Sequence, residues 1–323
     1  MKTLFEGVHM LEGEINGRFL QLIYLRGETA SVLLDTGCTN DPDKFIVPQM
    51  REAGGDPATL TWIIDTHPDL DHTGGNHVMK QNAPAAMLAC GDPDREACAS
   101  GANLLRLRYE TFHADHQIYY TGDTLAWVKA ESGTAEPIAL TFVGGEHLRL
   151  SDDWVVEVLS VPGHAKGHLA ILDEKNKALY AADALHGSAC IGFDGTAKLC
   201  PTYWHVDDYL NTIRFIEHLP IITYVGCHWP IKRGTEIAEF CDESRRFVTR
   251  TDTLLLDLLK QPQSLRDICL TLGPQLGDWD HTPAMDLELV SALYGHVARL
   301  LDRWIIVEHV RQTNPRILEY VRS

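Results

Sequence analysis

The sequence has no CxxC pair, no apolar run approaching the roughly 18 residues of a membrane span, and too few bases to balance its acids. Its eight cysteines, Cys38, Cys90, Cys98, Cys190, Cys200, Cys227, Cys241 and Cys269, are scattered along the chain. That pattern suits reduced thiols and excludes both a disulfide framework and a thiolate zinc knuckle, so any metal is expected on histidine and carboxylate. Lys and Arg number 28 against 45 Asp and Glu, for a formal charge of −17. A general nucleic-acid binder needs a basic face to neutralise phosphates, so no nucleic-acid partner is expected, and the acidic balance reads as solubility. The opening MKTLFEGVHMLEGEI carries glutamates where a secretory signal needs an apolar run. The expected location is therefore cytoplasmic, with no membrane partner.

What is present is an ordinary globular composition, 45% hydrophobic and 23% charged over 323 residues, long enough for one large domain and a small one. FLQLIYLRG and ASVLLDTG read as early strands with a turn at INGRF, and a helix around 44–53 leads to a strand at 59–65. Residues 77–145 read as an insertion or lid, helical through DREACASGANLLRLRYETFHADHQ and strand-like at DTLAWVKA. Strand signals return at 154–161 and in a hairpin over 169–184 turning at EKNK, and YLNTIRFIEHL is an amphipathic helix ahead of the strand ITYVG. Strands alternating with helices predict an α/β sandwich over residues 1–245. From 246 to 323 the patterns are helical, ending in an apolar, strand-like WIIVEHV that resembles a winged helix. That tail holds nine basic and ten acidic residues, so shape or homodimerisation is expected of it rather than DNA reading.

Residues 66–76 read THPDLDHTGGN, which crowds His67, Asp69, Asp71 and His72 into one turn after an apolar strand. Three isolated residues of metal-binding type follow other apolar runs: His164 in SVPGHAKGH, Asp183 in LYAADALHG and His228 in YVGCHWP. Side chains at the carboxyl ends of neighbouring strands converge on one edge of a sheet, so these groups are expected to share a pocket.

In this order, with Asp35 in a DTG turn, the residues resemble the metallo-β-lactamase fold superfamily of metal-dependent hydrolases over about residues 5 to 245. The resemblance implies an αββα sandwich and a binuclear centre of two divalent transition-metal ions, zinc or else iron or manganese. His67, Asp69 and His164 would hold one ion, Asp71, His72 and His228 the other, and Asp183 would bridge. Asp35 and His168 would stand behind the ligands, and Gly74 and Gly75 would allow a tight turn into the following helix. The implied activity is opening of an ester, lactone or thioester in a small-molecule substrate by a bridging hydroxide, with Asp71 and His186 catalytic. His186 lies where some lactonases of the superfamily place a tyrosine. Tyr203 and His205 are candidates for the substrate pocket.

The departure from the pattern is Asp69, where the superfamily's motif usually has histidine. Counted by ligands alone, an aspartate there makes the loaded cluster neutral instead of +1, which favours harder ions and a less acidic water. Flavodiiron proteins, with glutamate at this place, and DNA-uptake proteins with a similar HPDxDH keep a di-iron redox protein and a phosphodiesterase open as alternatives. Asp69 is also a good helix N-cap, which would need no metal. His113 and His116 have metal-like spacing but no further ligand placed to join them, and a solvated lid face is expected. Cys38 and Cys227 flank site residues with nothing to mark either as a nucleophile.

Overall fold

A computed structural model describes residues 1–311 and 316–323. Two sheets face each other. The first has seven strands in sequential order, β1 (Lys2–Phe5), β2 (Val8–Ile15), β3 (Arg18–Arg26), β4 (Ser31–Leu34), β5 (Trp62–Asp65), β6 (Met87–Gly91) and β7 (Leu140–Phe142). It is antiparallel through β4 and parallel from β4 onward. The β2–β3 hairpin turns at Asn16 and Gly17, both at positive φ, as the INGRF signal predicts. The second sheet contains β8 (His147–Ser151), β9 (Trp154–Ser160), β10 (Leu169–Asp173), β11 (Ala178–Ala182), β14 (Thr223–Gly226) and β15 (Lys232–Arg233), in the order β15-β14-β11-β10-β9-β8. A short hairpin, β12 (Cys190–Ile191) with β13 (Ala197–Leu199), stands apart.

Alternation along the strands sorts side chains into three layers. Val32 and Leu34 of β4 face the space between the sheets with Val156, Val158, Ile171 and Val225, while Leu33 points outward. There it meets α1 (Val47–Glu52) and α3 (Asn76–Asn82) through Val47, Met50 and Met79. On the other side Leu172, Leu179 and Ala181 pack under α8 (Val206–Glu217) and α9 (Thr235–Leu258) through Ile213, Ile216, Phe240 and Phe247. Each large apolar side chain so buried contributes roughly 1.5–3 kcal/mol. This is the expected αββα sandwich.

Two local expectations change. β6 and β7, inside the stretch read as an insertion, belong to the first sheet, so the segment outside the sheets runs from 92 to 139. DTLAWVKA is helical, within α7 (Gly122–Glu131). Of that helix only Val128 is buried, and its backbone bonds are satisfied along the helix. The same segment carries α4 (Arg95–Cys98), α5 (Gly101–Leu104), a π-helical turn at Leu105–Tyr109 and α6 (His113–His116).

The chain ends in α10 (Leu265–Leu276), α11 (Pro283–Leu287), α12 (Val290–Asp302) and a small sheet of β16 (Gln263–Ser264), β18 (Ile317–Arg322) and β17 (Ile306–Arg311). The break expected at residue 245 falls inside α9, and one apolar cluster runs from Leu179 through Phe247 to Leu293 and Tyr320.

Candidate metal centre

Every residue of the predicted constellation leaves the carboxyl end of a strand or the turn just after it. Asp35 follows β4 at φ 64°, an uncommon conformation for a residue with a Cβ. His67 follows β5, and Asp71 and His72 stand on the single-turn α2 (Leu70–Thr73). His164 lies in the loop after β9, where Gly163 sits at φ 146° with a Cβ position only 2.6 Å from Cα of Tyr209, so no larger residue fits. Asp183 follows a register shift at the end of β11, with Ala182 at φ 43°, and His228 follows β14. Such irregularities cluster where a side chain must be re-aimed. Gly74 and Gly75 have ordinary helical dihedrals. What requires glycine there is close packing, since a Cβ at either would lie 2.1 Å from a backbone oxygen of Glu131 or Thr36.

Two groups of ligand atoms result, with the His67 and His72 rings 3.9 Å apart between them. The first is His67, Asp69 and His164, and the second is His72, Asp183, Cys227 and His228, with Asp71 beside it. In all four histidines Nδ1 is committed as a donor: His67 to Thr66 Oγ1 (3.0 Å), His72 to Asp35 Oδ2 (2.8 Å), His164 to the Thr202 carbonyl (3.2 Å) and His228 to the Phe19 carbonyl (2.6 Å). In the neutral ring each Nε2 therefore carries a lone pair, and each faces carboxylate oxygen, with that of His164 also 3.0 Å from Nη2 of Arg108. His67 Nε2 is 3.6 Å and His164 Nε2 2.8 Å from Asp69 Oδ2, and His72 Nε2 is 3.9 Å from Asp183 Oδ1. His228 Nε2 lies 3.2 Å from Asp71 Oδ2 and 3.4 Å from Asp183 Oδ2. Acceptor facing acceptor is tolerated only with a proton or a cation between them, and atoms bound to one transition-metal ion stand about 3.3 Å apart.

The electrostatics agree. His67 Nε2 and Asp183 Oδ1 are buried with no hydrogen-bond partner among the described residues. Burial opposes charge on every group, yet at Asp183 His228, His72 and His67 together outweigh it and hold the carboxyl well below the usual carboxylate range. Burial also pulls at His72 and His228, but Asp35 beside the first and Asp183 beside the second hold both well above the usual imidazole range. The carboxylates thus draw positive charge into the pocket. His67 goes the other way, pushed down by burial and by His72 and His164. The residues present fit two metal ions.

Asp69 stands at the N-cap position of α2, but its carboxylate makes no capping bond. It meets a residue that no sequence signal singles out. Arg108, from the π-helical turn, donates through Nε to Oδ1 (2.8 Å) and through Nη2 to Oδ2 (3.0 Å). Burial raises the Asp69 carboxyl, but the charge of Arg108 and the contact with His164 outweigh it and hold the group well below its ordinary value. Tyr109 Oη is 3.4 Å from the same carboxylate.

His168 is buried behind the first group, its ring 4.7 Å from that of His67, and burial with nearby His164 lowers it to about 3. His186 is fully buried beside His164, Tyr209 and Trp229, with neither ring nitrogen partnered among the described residues. Burial first, then His164, keeps it neutral. Tyr203 is also buried, and its hydroxyl is spent on His296 Nε2 (2.8 Å), which is held in turn by Asp252 (2.7 Å). His205, partly exposed, stacks on Trp204. His116 is not on a solvated face: it is buried against Tyr294 and Tyr320 of the C-terminal segment. Neither His113 nor His116 joins a ligand group among the described residues. Against the expectation that any metal rests on histidine and carboxylate alone, Cys227 has its sulfur within 4.8 Å of the other ligand atoms in its group.

A family model described as the metallo-beta-lactamase superfamily matches residues 17–228. Among curated proteins, the chain is 25% identical over 227 residues to acyl-coenzyme A thioesterase MBLAC2 of Homo sapiens, covering 67% of this chain and 75% of that one. It is 25% identical over 213 residues to hydroxyacylglutathione hydrolase of Shewanella baltica (strain OS195), covering 66% and 61%. Among solved structures, a metallo-beta-lactamase family protein from Thermus thermophilus superposes with a TM-score of 0.75 at 19% identity, over 99% of this chain and 100% of that one. The likeness in fold therefore extends through the C-terminal segment.

Proposed function

This chain belongs to the metallo-beta-lactamase superfamily and is a hydrolase, and from that premise we propose that it is a binuclear metalloenzyme cleaving a thioester. The observation that carries the proposal is the set of four histidine lone pairs turned on carboxylate oxygens in one buried pocket. His67, Asp69 and His164 would hold one ion, His72, Asp71 and His228 the other, and Asp183 would bridge. Two divalent ions there would supply an ionised water at neutral pH and positive charge for the carbonyl oxygen.

The chain's own groups divide the remaining work. Asp35, Thr66 and the carbonyls of Thr202 and Phe19 fix the four imidazoles, which keeps each Nε2 lone pair aimed inward. Asp71, spending Oδ2 toward His228, would orient the attacking water with its other oxygen. His186, neutral and unpartnered, would donate a hydrogen bond to the oxyanion as the carbonyl becomes tetrahedral. Tyr203 supports the His186 ring at 6.3 Å, and the partly exposed His205 would line the approach for substrate.

The leaving group favours a thioester. An amide nitrogen must be protonated to leave, whereas a thiolate departs unassisted near its ordinary pKa of about 8.5. His186 and His168 are held neutral and so offer hydrogen bonds but no spare proton. The two named relatives are a thioesterase and a hydrolase of an acyl group on glutathione. The test uses full-length protein stripped of metal and reloaded with zinc, iron(II) or manganese, offered matched S-acyl, O-acyl and N-acyl substrates and lactones. We expect metal-dependent turnover with kcat/KM for the thioester at least about tenfold above the oxygen ester. Metal-independent turnover, or a lactone or oxygen ester preferred over the thioester, would refute the reading.

A further inference from the structure

We infer that Asp69 and Arg108 act as one electroneutral unit that takes the electrostatic place of a neutral imidazole at the first group. This rests on the binuclear reading. Arg108 makes four contacts to two residues: besides its fork on Asp69, Nη1 donates to the His164 carbonyl (3.2 Å), and Nη2 lies 3.0 Å from His164 Nε2. Its side chain is only 9% exposed, and the guanidinium lies over the Trp204 ring at 5.5 Å. A planar fork with two parallel contacts to one carboxylate is a geometry that lysine cannot reproduce.

The pairing alters the charge count made from ligands alone. A carboxylate and a guanidinium together carry no net charge, as a neutral histidine would. With Arg108 included, the loaded cluster stands at +1 and not at neutrality, so the less acidic water expected from Asp69 no longer follows. The Asp69 oxygen nearest His164, which also accepts from Nη2 of Arg108, faces the first group, while Nε of Arg108 satisfies the other oxygen. Replacing Asp69 by histidine would therefore not restore the commoner centre. It would set an imidazole beside a buried guanidinium that has lost the carboxylate it is paired with, and a nearby positive charge repels an incoming divalent ion.

The probe is zinc ion alone, titrated into metal-free full-length protein against a chromophoric chelator, with the first group's step assigned as the one His164→Ala removes. Electroneutral pairing gives a definite sign. Arg108→Met removes the repulsion and tightens the first group's step by about tenfold, Arg108→Lys leaves it within about threefold, and Asp69→His weakens it by at least about tenfold. Asp69→His combined with Arg108→Met recovers binding to within about threefold of the parent, a strong departure from additivity. If Arg108 merely orients Asp69, then Arg108→Met and Arg108→Lys both weaken the step, and either result overturns the inference. Additive losses in the double variant overturn it too. The second group's step is the internal control for folding, and should Met at 108 abolish that step, Arg108→Gln carries the same test of sign. A parent protein that binds no zinc would refute the binuclear reading itself, a result distinct from all of these.

Discussion

The two ligand groups share a wall of histidine rings yet are built differently. The second is assembled from the sandwich itself: α2, β11 and β14 supply His72, Asp183 and His228, with Asp35 and the Phe19 carbonyl behind them. The first depends on loops. His164 leans on the Thr202 carbonyl, and Asp69 is clamped by Arg108 from the segment between β6 and β7. A group anchored in strands inherits the rigidity of the core, while a group anchored in loops can be tuned by whatever those loops bring. The contrast predicts unequal sensitivity to substitution, which variants can break or sharpen.

The largest effect belongs to Asp183, the residue proposed to bridge the two groups. Asp183→Ala should release both ions and lower kcat/KM by about 10³-fold or more, whereas His164→Ala should release one and leave the other, read by metal analysis of each variant. If His164→Ala empties both groups, the comparison fails. Next comes His186→Phe, which fills the same space without a donor: kcat should fall about 10²-fold with metal content and KM little changed. A raised KM with unchanged kcat would make His186 a binding residue only. Asp35→Asn keeps the size but removes the charge that holds His72, and it should weaken the second ion by about tenfold while sparing the first. Equal weakening of both would contradict separate anchoring.

The smallest effect concerns the loop behind the first group. Asp94 accepts the Gly167 N–H at 2.8 Å, and burial, opposed by Arg108 and by that N–H, raises its carboxyl from 3.8 to about 6. A carboxyl whose pKa is higher in the fold than in the unfolded chain retains its proton longer in the fold. Its contribution to stability is full below about pH 4 and is lost as pH rises through 6. Asp94→Asn should remove that decline, worth about 1–3 kcal/mol, seen as a flatter dependence of urea midpoint on pH between 4 and 6. Identical slopes in parent and variant would show that Asp94 titrates normally.

Much of this was legible in sequence because ligand chemistry sits at strand ends. A polar residue within a turn of the end of an apolar run is visible without a structure, and His67, His164, Asp183 and His228 all stand so. The sandwich was legible for a related reason, since Val32, Leu33 and Leu34 alternate between two cores. Arg108 was not. In LLRLRYE it reads as the polar face of a helix, and only the fold carries that turn across to a residue 39 positions earlier in the chain. Nor was DTLAWVKA, which is helical instead, because so short an apolar stretch does not separate a strand from a helix by its pattern alone. Tyr203 was placed near the site by chain order, yet its hydroxyl belongs to a network with His296 and Asp252 that ties the loop to α12 and α9.

The most direct test of the central claim is the metal content of the full-length protein, purified without exposure to chelator and measured by elemental analysis against protein concentration. Four histidine lone pairs opposed by carboxylates predict close to two transition-metal ions per chain. One ion or none would contradict the binuclear centre.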